Sequence, residues 1–317
     1  MNEPLSNQIQ IFRSLFKGRE DVFAIRWEKG IKSGYMPAYF YDPYQYRIHK
    51  INGGTFQNFT GKKYLQLTDK EIAKHLKGEQ LIGVYPLLTD NSSWFLAADF
   101  DKENWIEESK KFITACNEKD IPTYLERSRS GNGGHVWIFF EQPNPANRSR
   151  KIFLNILEQS GAFSLFDKSS SFDRLFPNQD FHSGKGLGNL IALPLFKKTF
   201  EQGNSCFIDS DTLQPIPDQW NFLQSIKRIS ITALNKLYQE VSNSFVSALP
   251  KTITGKLVIT LGNVVKINRD RMTTLLIIFL KEELNFANSE FIIKKKIGRN
   301  TFGTERYFKL VEETEMK

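Results

Sequence analysis

Ser93-Trp-Phe-Leu-Ala-Ala-Asp-Phe-Asp101 is an apolar run that closes on two aspartates one residue apart. On a β-strand, side chains at i and i+2 share a face and lie about 6.6–6.8 Å apart along the chain. Asp99 and Asp101 therefore look out together from a strand end, with Leu96, Ala98 and Phe100 turned the other way. Two hard carboxylates so placed suit Mg²⁺ or Mn²⁺, which prefer oxygen ligands and leave positions open for substrate phosphates. A solvated strand end is the bland alternative, because Asp-x-Asp also occurs in exposed turns.

The surrounding pattern places this strand in a fold. Periodicity predicts strands over 81–87 and 94–100, a helix over 104–117, and strands over 124–127 and 135–140 around a glycine-bearing turn. A helix over 145–159 and a strand over 171–176 follow, with an added strand over 189–195. From Trp94 the order is β-α-β-β-α-β, the split βαβ or ferredoxin-like pattern. It makes an antiparallel sheet with helices on one face and the other face free for a ligand. RNA-recognition (RRM-like) modules and many polymerase palms share it, so fold alone does not set activity.

Upstream, a helix over 7–17 ends at Gly18 and a strand covers 21–27. Residues 35–64 read as loop-rich, crowded with Tyr35, Tyr39, Tyr41, Tyr44 and Tyr46; a helix over 69–76 follows, with Thr68 as N-cap and Gly78 as its stop. Downstream, a helix over 217–241 and a linker over 242–250 lead to a small unit. It holds strands over 256–260 and 263–266, a helix over 270–284, the cluster Lys294-Lys295-Lys296 with Arg299, and a strand over 306–311. That cluster is either a solvated face or a phosphate-backbone contact. The expected architecture is α+β: a domain over 1–241, comprising an N-terminal α/β part (1–80) and an RRM-like part (81–241), then a small α+β unit over 251–317.

Composition narrows the partners. The chain has 317 residues, a net charge of +8 and 27 phenylalanines. The positive balance favours a polyanion, nucleic acid first and a membrane surface second. Two cysteines, Cys116 and Cys206, exclude a disulfide scaffold and a cysteine-built zinc site. No signal sequence opens the chain and no apolar run is long enough to span a bilayer, so a cytoplasmic protein with no membrane partner is expected.

Three further strings carry chemistry. Glu126-Arg-Ser-Arg-Ser-Gly-Asn-Gly-Gly-His135 is a hairpin in which Gly131, Gly133 and Gly134 let the backbone approach an anion. Ser128 and Ser130 add hydroxyl donors, Arg127 and Arg129 add charge, and His135 projects toward the same place. A glycine hairpin beside a core histidine is the alternative; the composition suits a triphosphate pocket better. In Ser171-Phe-Asp-Arg-Leu-Phe-Pro-Asn-Gln-Asp180, Asp173 interrupts an apolar strand, where a lone carboxylate is costly unless paired or metal-bound. If that strand lies beside Asp99 and Asp101, three carboxylates converge and suit two divalent ions about 3.5–4 Å apart. Asp180 is a weaker candidate beyond Pro177. Last, His182-Ser-Gly-Lys-Gly-Leu-Gly-Asn189 is no Walker loop; it either brings Lys185 and Asn189 to phosphate or template, or is an ordinary turn.

These strings resemble the archaeo-eukaryotic primase superfamily, most closely the primase domain of TOTE conflict systems and the CRISPR-associated primase-polymerases. The likeness is carried by Phe16-Lys-Gly-Arg-Glu-Asp-Val22, Gly83-Val-Tyr-Pro-Leu-Leu88, Phe95–Asp101, Glu126–Gly134, Phe172–Asp180 and Gly188-Asn-Leu-Ile-Ala-Leu-Pro-Leu195, and spans roughly residues 12–240. It implies a DNA primase-polymerase in which Asp99, Asp101 and Asp173 hold two Mg²⁺ or Mn²⁺ ions. His135, helped by Ser130, would contact the triphosphate of an incoming dNTP or NTP, and single-stranded DNA would be the template. CRISPR or other defence-system proteins are partners by resemblance only. The family pattern also implies a cysteine zinc knuckle, but residues 34–68 contain no cysteine, and His49 and His75 alone make no zinc site. No zinc is expected, and the tyrosine-rich segment stands in its place.

Two rivals remain. A metal-dependent nucleotide-sugar transferase would also use Asp-x-Asp, but leaves the Ser/Gly/His hairpin and Asp173 without work. A non-catalytic nucleic-acid-binding RRM-like module would need exposed aromatics on the central strands, with Phe100 and Phe139 as the candidates.

Overall fold

A computed structural model describes residues 3–162, 171–182, 186–247, 259–261 and 265–267. It divides into two units: Met1–Phe163 with Ser170–Lys236, and Ser164–Ser169 with Leu237–Lys317. The first begins with α1 (Glu3–Leu15), β1 (Ala24–Lys29), β2 (Lys32–Pro37), β3 (Tyr39–Tyr41), α2 (Pro43–Ile51), β4 (Lys62–Tyr64), α3 (Asp69–Leu76) and β5 (Ile82–Val84). The middle of the chain supplies β6 (Ser92–Asp101), α4 (Trp105–Asn117), β7 (Tyr124–Arg127), β8 (Gly133–Pro145), α5 (Ala146–Gln159) and β9 (Phe172–Phe176). Then come β10 (Ile191–Ala192), α6 (Lys197–Phe200), β11 (Cys206–Phe207) and α7 (Gln219–Ser225), while α8 (Ile231–Ser247) spans the boundary. Within the second unit, β12 (Ile259–Leu261) pairs antiparallel with β13 (Val265–Ile267). The predicted helix over 270–284, the Lys294–Arg299 cluster and the strand over 306–311 lie outside the described residues.

The site stands on a five-stranded antiparallel sheet of order β11-β7-β8-β6-β9. Four of its strands, β7-β8-β6-β9, reproduce the split-βαβ order expected from the sequence. The reason is period-two patterning: Leu96, Ala98 and Phe100 of β6 are all fully buried on the face that carries α4 and α5. Phe112 of α4 reaches both Phe100 and Phe153 of α5 in ring contact. Both helices turn an apolar stripe inward, Phe112, Ile113 and Cys116 from α4 and Ile152, Phe153, Ile156 and Leu157 from α5. Burial pushes the Cys116 thiol up, as expected for an inert core cysteine.

The opposite face of the sheet is half covered. Phe95, Trp137 and Phe139 stack there, and Phe16, just beyond α1, meets Trp137 and Phe139 edge-on. Phe100 and Phe139 are therefore core residues, 0% and 1% exposed, and the stacking platform of the non-catalytic rival is not formed by them.

Several expectations change. The strand predicted over 189–195 shortens to β10, and it joins β5, β1 and β2 in a second sheet of order β10-β5-β1-β2 instead of extending the first. Residues on both sides of position 80 thus share one sheet. The single helix predicted over 217–241 is two, because Ile229 pairs with β8: its N–H donates to Phe139 O and its carbonyl accepts from Glu141 N–H. That pairing pulls residues 226–230 out of helix. The tyrosine-rich stretch 35–64 is not mainly loop. Asp42 caps α2 by accepting from Tyr44 N–H, with Pro43 at the first helical position. Tyr41, Tyr46, Phe56 and Phe59 then close an aromatic cluster between α2 and the β3–β4 pair. Thr68 precedes α3 but makes no side-chain cap hydrogen bond. Among the described residues no helix is long and apolar enough to cross a membrane.

Candidate active site

Pairing register builds the site. Glu126 of β7 stands opposite His135 of β8, His135 opposite Asp99 of β6, and Asp99 opposite Arg174 of β9. Directly paired residues share a face, so one row of alternating charge crosses four strands. His135 Nδ1 lies 2.9 Å from Glu126 Oε2, and His135 Nε2 lies 3.5 Å from Asp99 Oδ1. Glu126, 2% exposed, also accepts from Trp137 Nε1 at 2.6 Å. Its carboxylate orients the imidazole with Nε2 toward the aspartates.

Asp101 follows Asp99 on the same face, at the exposed end of β6, opposite Gly133. This is where glycine is required: a Cβ at Gly133 would lie 2.6 Å from Asp101 Oδ1 and 2.6 Å from Phe100 O.

Asp173 reaches the site through a bulge. Ala97, Ala98 and Asp99 pair in step with Phe176, Leu175 and Arg174, but Phe100 pairs with Phe172, leaving Asp173 as the extra residue. Unbroken register would set Asp173 opposite Phe100, inside the aromatic core. The bulge returns Phe172 to that core, 5.8 Å from the Phe100 ring, and leaves Asp173 close enough to raise the pKa of Asp99 and of Asp101. Glu108 of α4 pins the entry to β9 by accepting from Ser171 N–H and Ser171 Oγ.

Electrostatics record the crowding. Burial pushes the Asp99 carboxyl up to about 6; His135 pulls it back, while Asp101 and Asp173 push it further. Asp101 is raised for the same reasons, burial first. Burial alone would lower the His135 imidazolium, but Glu126, Asp99 and Asp101 override it and lift His135 to about 9. Beside the row opens a cleft of about 430 Å³ lined by Tyr35, His135, Arg174, Phe176 and Asn189.

The other predicted site residues separate. Arg127 donates to the carbonyls of Gly203 and Leu213 and so braces the following loop. Ser128 is buried and bonded to Ser130 Oγ at 3.1 Å; Ser130 in turn accepts from Asn132 N–H. Gly131 holds φ +78° in the turn. Arg129 is half-buried, near enough to Glu28 and Tyr35 to act on their charge states. Asp180 is engaged by Arg150 at 2.7 Å. Lys185 lies outside the described residues.

Residues 7–237 match the family described as the TOTE conflict system, Archaeo-Eukaryotic Primase domain. The chain belongs to this family. Among solved structures it is similar to the polymerase domain from Mycobacterium tuberculosis Ligase D in complex with DNA: 12% identity, 75% of this chain and 87% of that chain covered, TM-score 0.37. None of the curated proteins matches.

Within this primase domain, sequence reading missed Glu126 and Arg174 as members of the site. Glu126 carries one signal, a carboxylate inside an apolar strand, but its partner emerges only from the β7–β8 register. Arg174 was hidden because adjacent strand residues ordinarily face opposite ways.

Proposed function

We propose that this primase domain is a template-directed DNA primase-polymerase that makes primers de novo on single-stranded DNA by two-metal nucleotidyl transfer. The observation that carries the reading is the juxtaposition of Asp99 and Asp101 on one face with His135, with bulged Asp173 beside them, at the edge of a cleft of nucleotide size. The donor set fits the ions: carboxylate oxygens that are crowded and proton-hungry without a cation are what Mg²⁺ or Mn²⁺ prefers. Among the described residues, no group of three His, Cys, Asp or Glu side chains stands ready-made for a metal. Asp99 and Asp101 would hold the ions, with Asp173 joining once freed from its arginine. Bound there, divalent ions would activate a 3′-hydroxyl and neutralise the departing pyrophosphate.

The chain's own residues do the rest. His135, held by Glu126, presents Nε2–H to a triphosphate oxygen. Arg174 adds a second cation on the cleft wall, and Tyr35 and Asn189 bound the space for sugar and base. The 3′-oxygen bonds to the α-phosphorus as the bond to the β-phosphate oxygen breaks, and pyrophosphate leaves. The nucleotide-sugar reading gives the His135–Glu126 pair and the bulge no task. By family, the setting is cytoplasmic, with CRISPR or other defence-system proteins as partners.

The test is synthesis on unprimed single-stranded DNA with labelled dNTPs or NTPs and Mg²⁺ or Mn²⁺, comparing the native chain with Asp99→Ala/Asp101→Ala. Metal-dependent products that vanish in the variant are expected. Extension of a supplied primer without de novo products removes the initiation role, and no templated incorporation with either ion overturns the reading.

A further inference from the structure

Asp173 and Arg174 are neighbours in the chain and partners in space. Arg174 Nε donates to Asp173 Oδ2 at 2.5 Å, an ion pair that regular strand alternation forbids and the bulge permits. The arginine is not locked in place. Its side chain is 42% exposed, it lines the cleft beside His135, and its register partner is Asp99. Of the three aspartates, Asp173 is the one in an ion pair with a guanidinium.

The charge balance makes this pairing a stand-in. Asp99, Asp101, Asp173 and Glu126 share one face with only His135 and Arg174 as cations within the row. A metal-bound triphosphate changes both sides of that balance. It delivers divalent charge to the carboxylates, and it offers phosphate oxygens that a planar guanidinium grips through two parallel hydrogen bonds.

We propose that Arg174 is an exchangeable counterion: it holds Asp173 until a nucleoside triphosphate enters, then passes to the phosphates and releases Asp173 to the metal ions. The proposal rests on the nucleotidyl-transfer reading of the same site. Nucleotide and metal would then each tighten the other's binding by the same factor, as linkage requires.

The test is Mn²⁺ titration of the full chain, followed by the loss of free-ion paramagnetic signal, with no nucleotide and no template. Removing the stand-in frees Asp173, so Arg174→Ala and Arg174→Gln should each bind Mn²⁺ about tenfold more tightly than the native chain. In an Asp173→Asn background the same substitutions should give no gain. The single variants should also lose about tenfold in affinity for a non-hydrolysable triphosphate in the presence of Mn²⁺. If the tightening persists in Asp173→Asn, Arg174 acts only through its field and the exchange is overturned. Unchanged or weaker Mn²⁺ binding in Arg174→Ala overturns it as well, while leaving the nucleotidyl-transfer reading in place. Absence of Mn²⁺ binding in every variant overturns both.

Discussion

Strands β6 and β8 run through two opposite environments on the same face of one sheet. At one end Phe95, Trp137 and Phe139 pack against Phe16 with almost no exposure. At the other end, two pleats along, Asp99 and His135 stand in a row with Glu126 and Arg174. The aromatic end makes the strands stay where they are; the charged end spends part of that stability to hold like charges together. Trp137 belongs to both, with its ring in the apolar stack and its indole N–H on Glu126. The contrast teaches that the positional precision of the charged row is borrowed from the neighbouring half of the same strands.

The largest effects should separate the two ends. Trp137→Ala should cost about 3–5 kcal/mol in chemical denaturation, the usual price of emptying a large buried aromatic site. Asp99→Asn should leave that stability unchanged or raise it, because a buried, crowded carboxylate disappears, while nucleotide incorporation falls about 10³-fold, or roughly 4 kcal/mol. If Asp99→Asn destabilised the fold as Trp137→Ala does, the charged end would be structural and the contrast would fail.

A smaller effect lies in pH. With divalent ions chelated, Asp99 titrates near 6 in the folded chain, above its ordinary 3.8, so the folded state holds its proton more tightly. That contribution is complete below 3.8 and is lost as pH rises through 6. His135 titrates near 9, above 6.5, so its contribution is complete below 6.5 and is lost as pH rises through 9. Both slopes have the same sign. The denaturation midpoint of the metal-free chain should fall in two steps between pH 4 and 9, and Glu126→Gln should shrink the second. A midpoint that is flat or rising between pH 6.5 and 9 would contradict the row as described.

Much of this was legible in residues 93–140. Alternation in Leu96, Ala98 and Phe100 set Asp99 and Asp101 on one face, and the β-α-β-β-α-β order allowed the Asp173 strand beside them; that His135 stands directly opposite Asp99 emerges only from the β6–β8 register. What the alternation rule could not supply was its own exception. The bulge at Asp173 depends on Phe172 winning the core position opposite Phe100, a contest between two long-range packings that no local pattern reports. The surroundings of Arg127 were hidden for a related reason: its hydrogen bonds go to the carbonyls of Gly203 and Leu213, which are distant in sequence. Strand β10 changed sheets because its partner β5 was chosen by register and not by order along the chain.

The finest test compares two aspartates in one string. Asp173 and Asp180 are seven residues apart and each touches an arginine, at 2.5 Å and 2.7 Å. Composition alone cannot rank them. Arg150 also donates to Pro177 O and Asn178 Oδ1, so its contact with half-exposed Asp180 is one of several that hold the 177–180 turn. Removing an exposed ion pair of this kind costs about 0–1 kcal/mol. Asp180→Asn should therefore shift the denaturation midpoint slightly and leave incorporation and Mn²⁺ affinity at native values. Asp173→Asn should do the reverse, sparing stability while weakening Mn²⁺ binding in the presence of nucleotide. Equal losses in both variants would mean that the two arginine pairs do one structural job, and that the bulge merely carries a salt bridge.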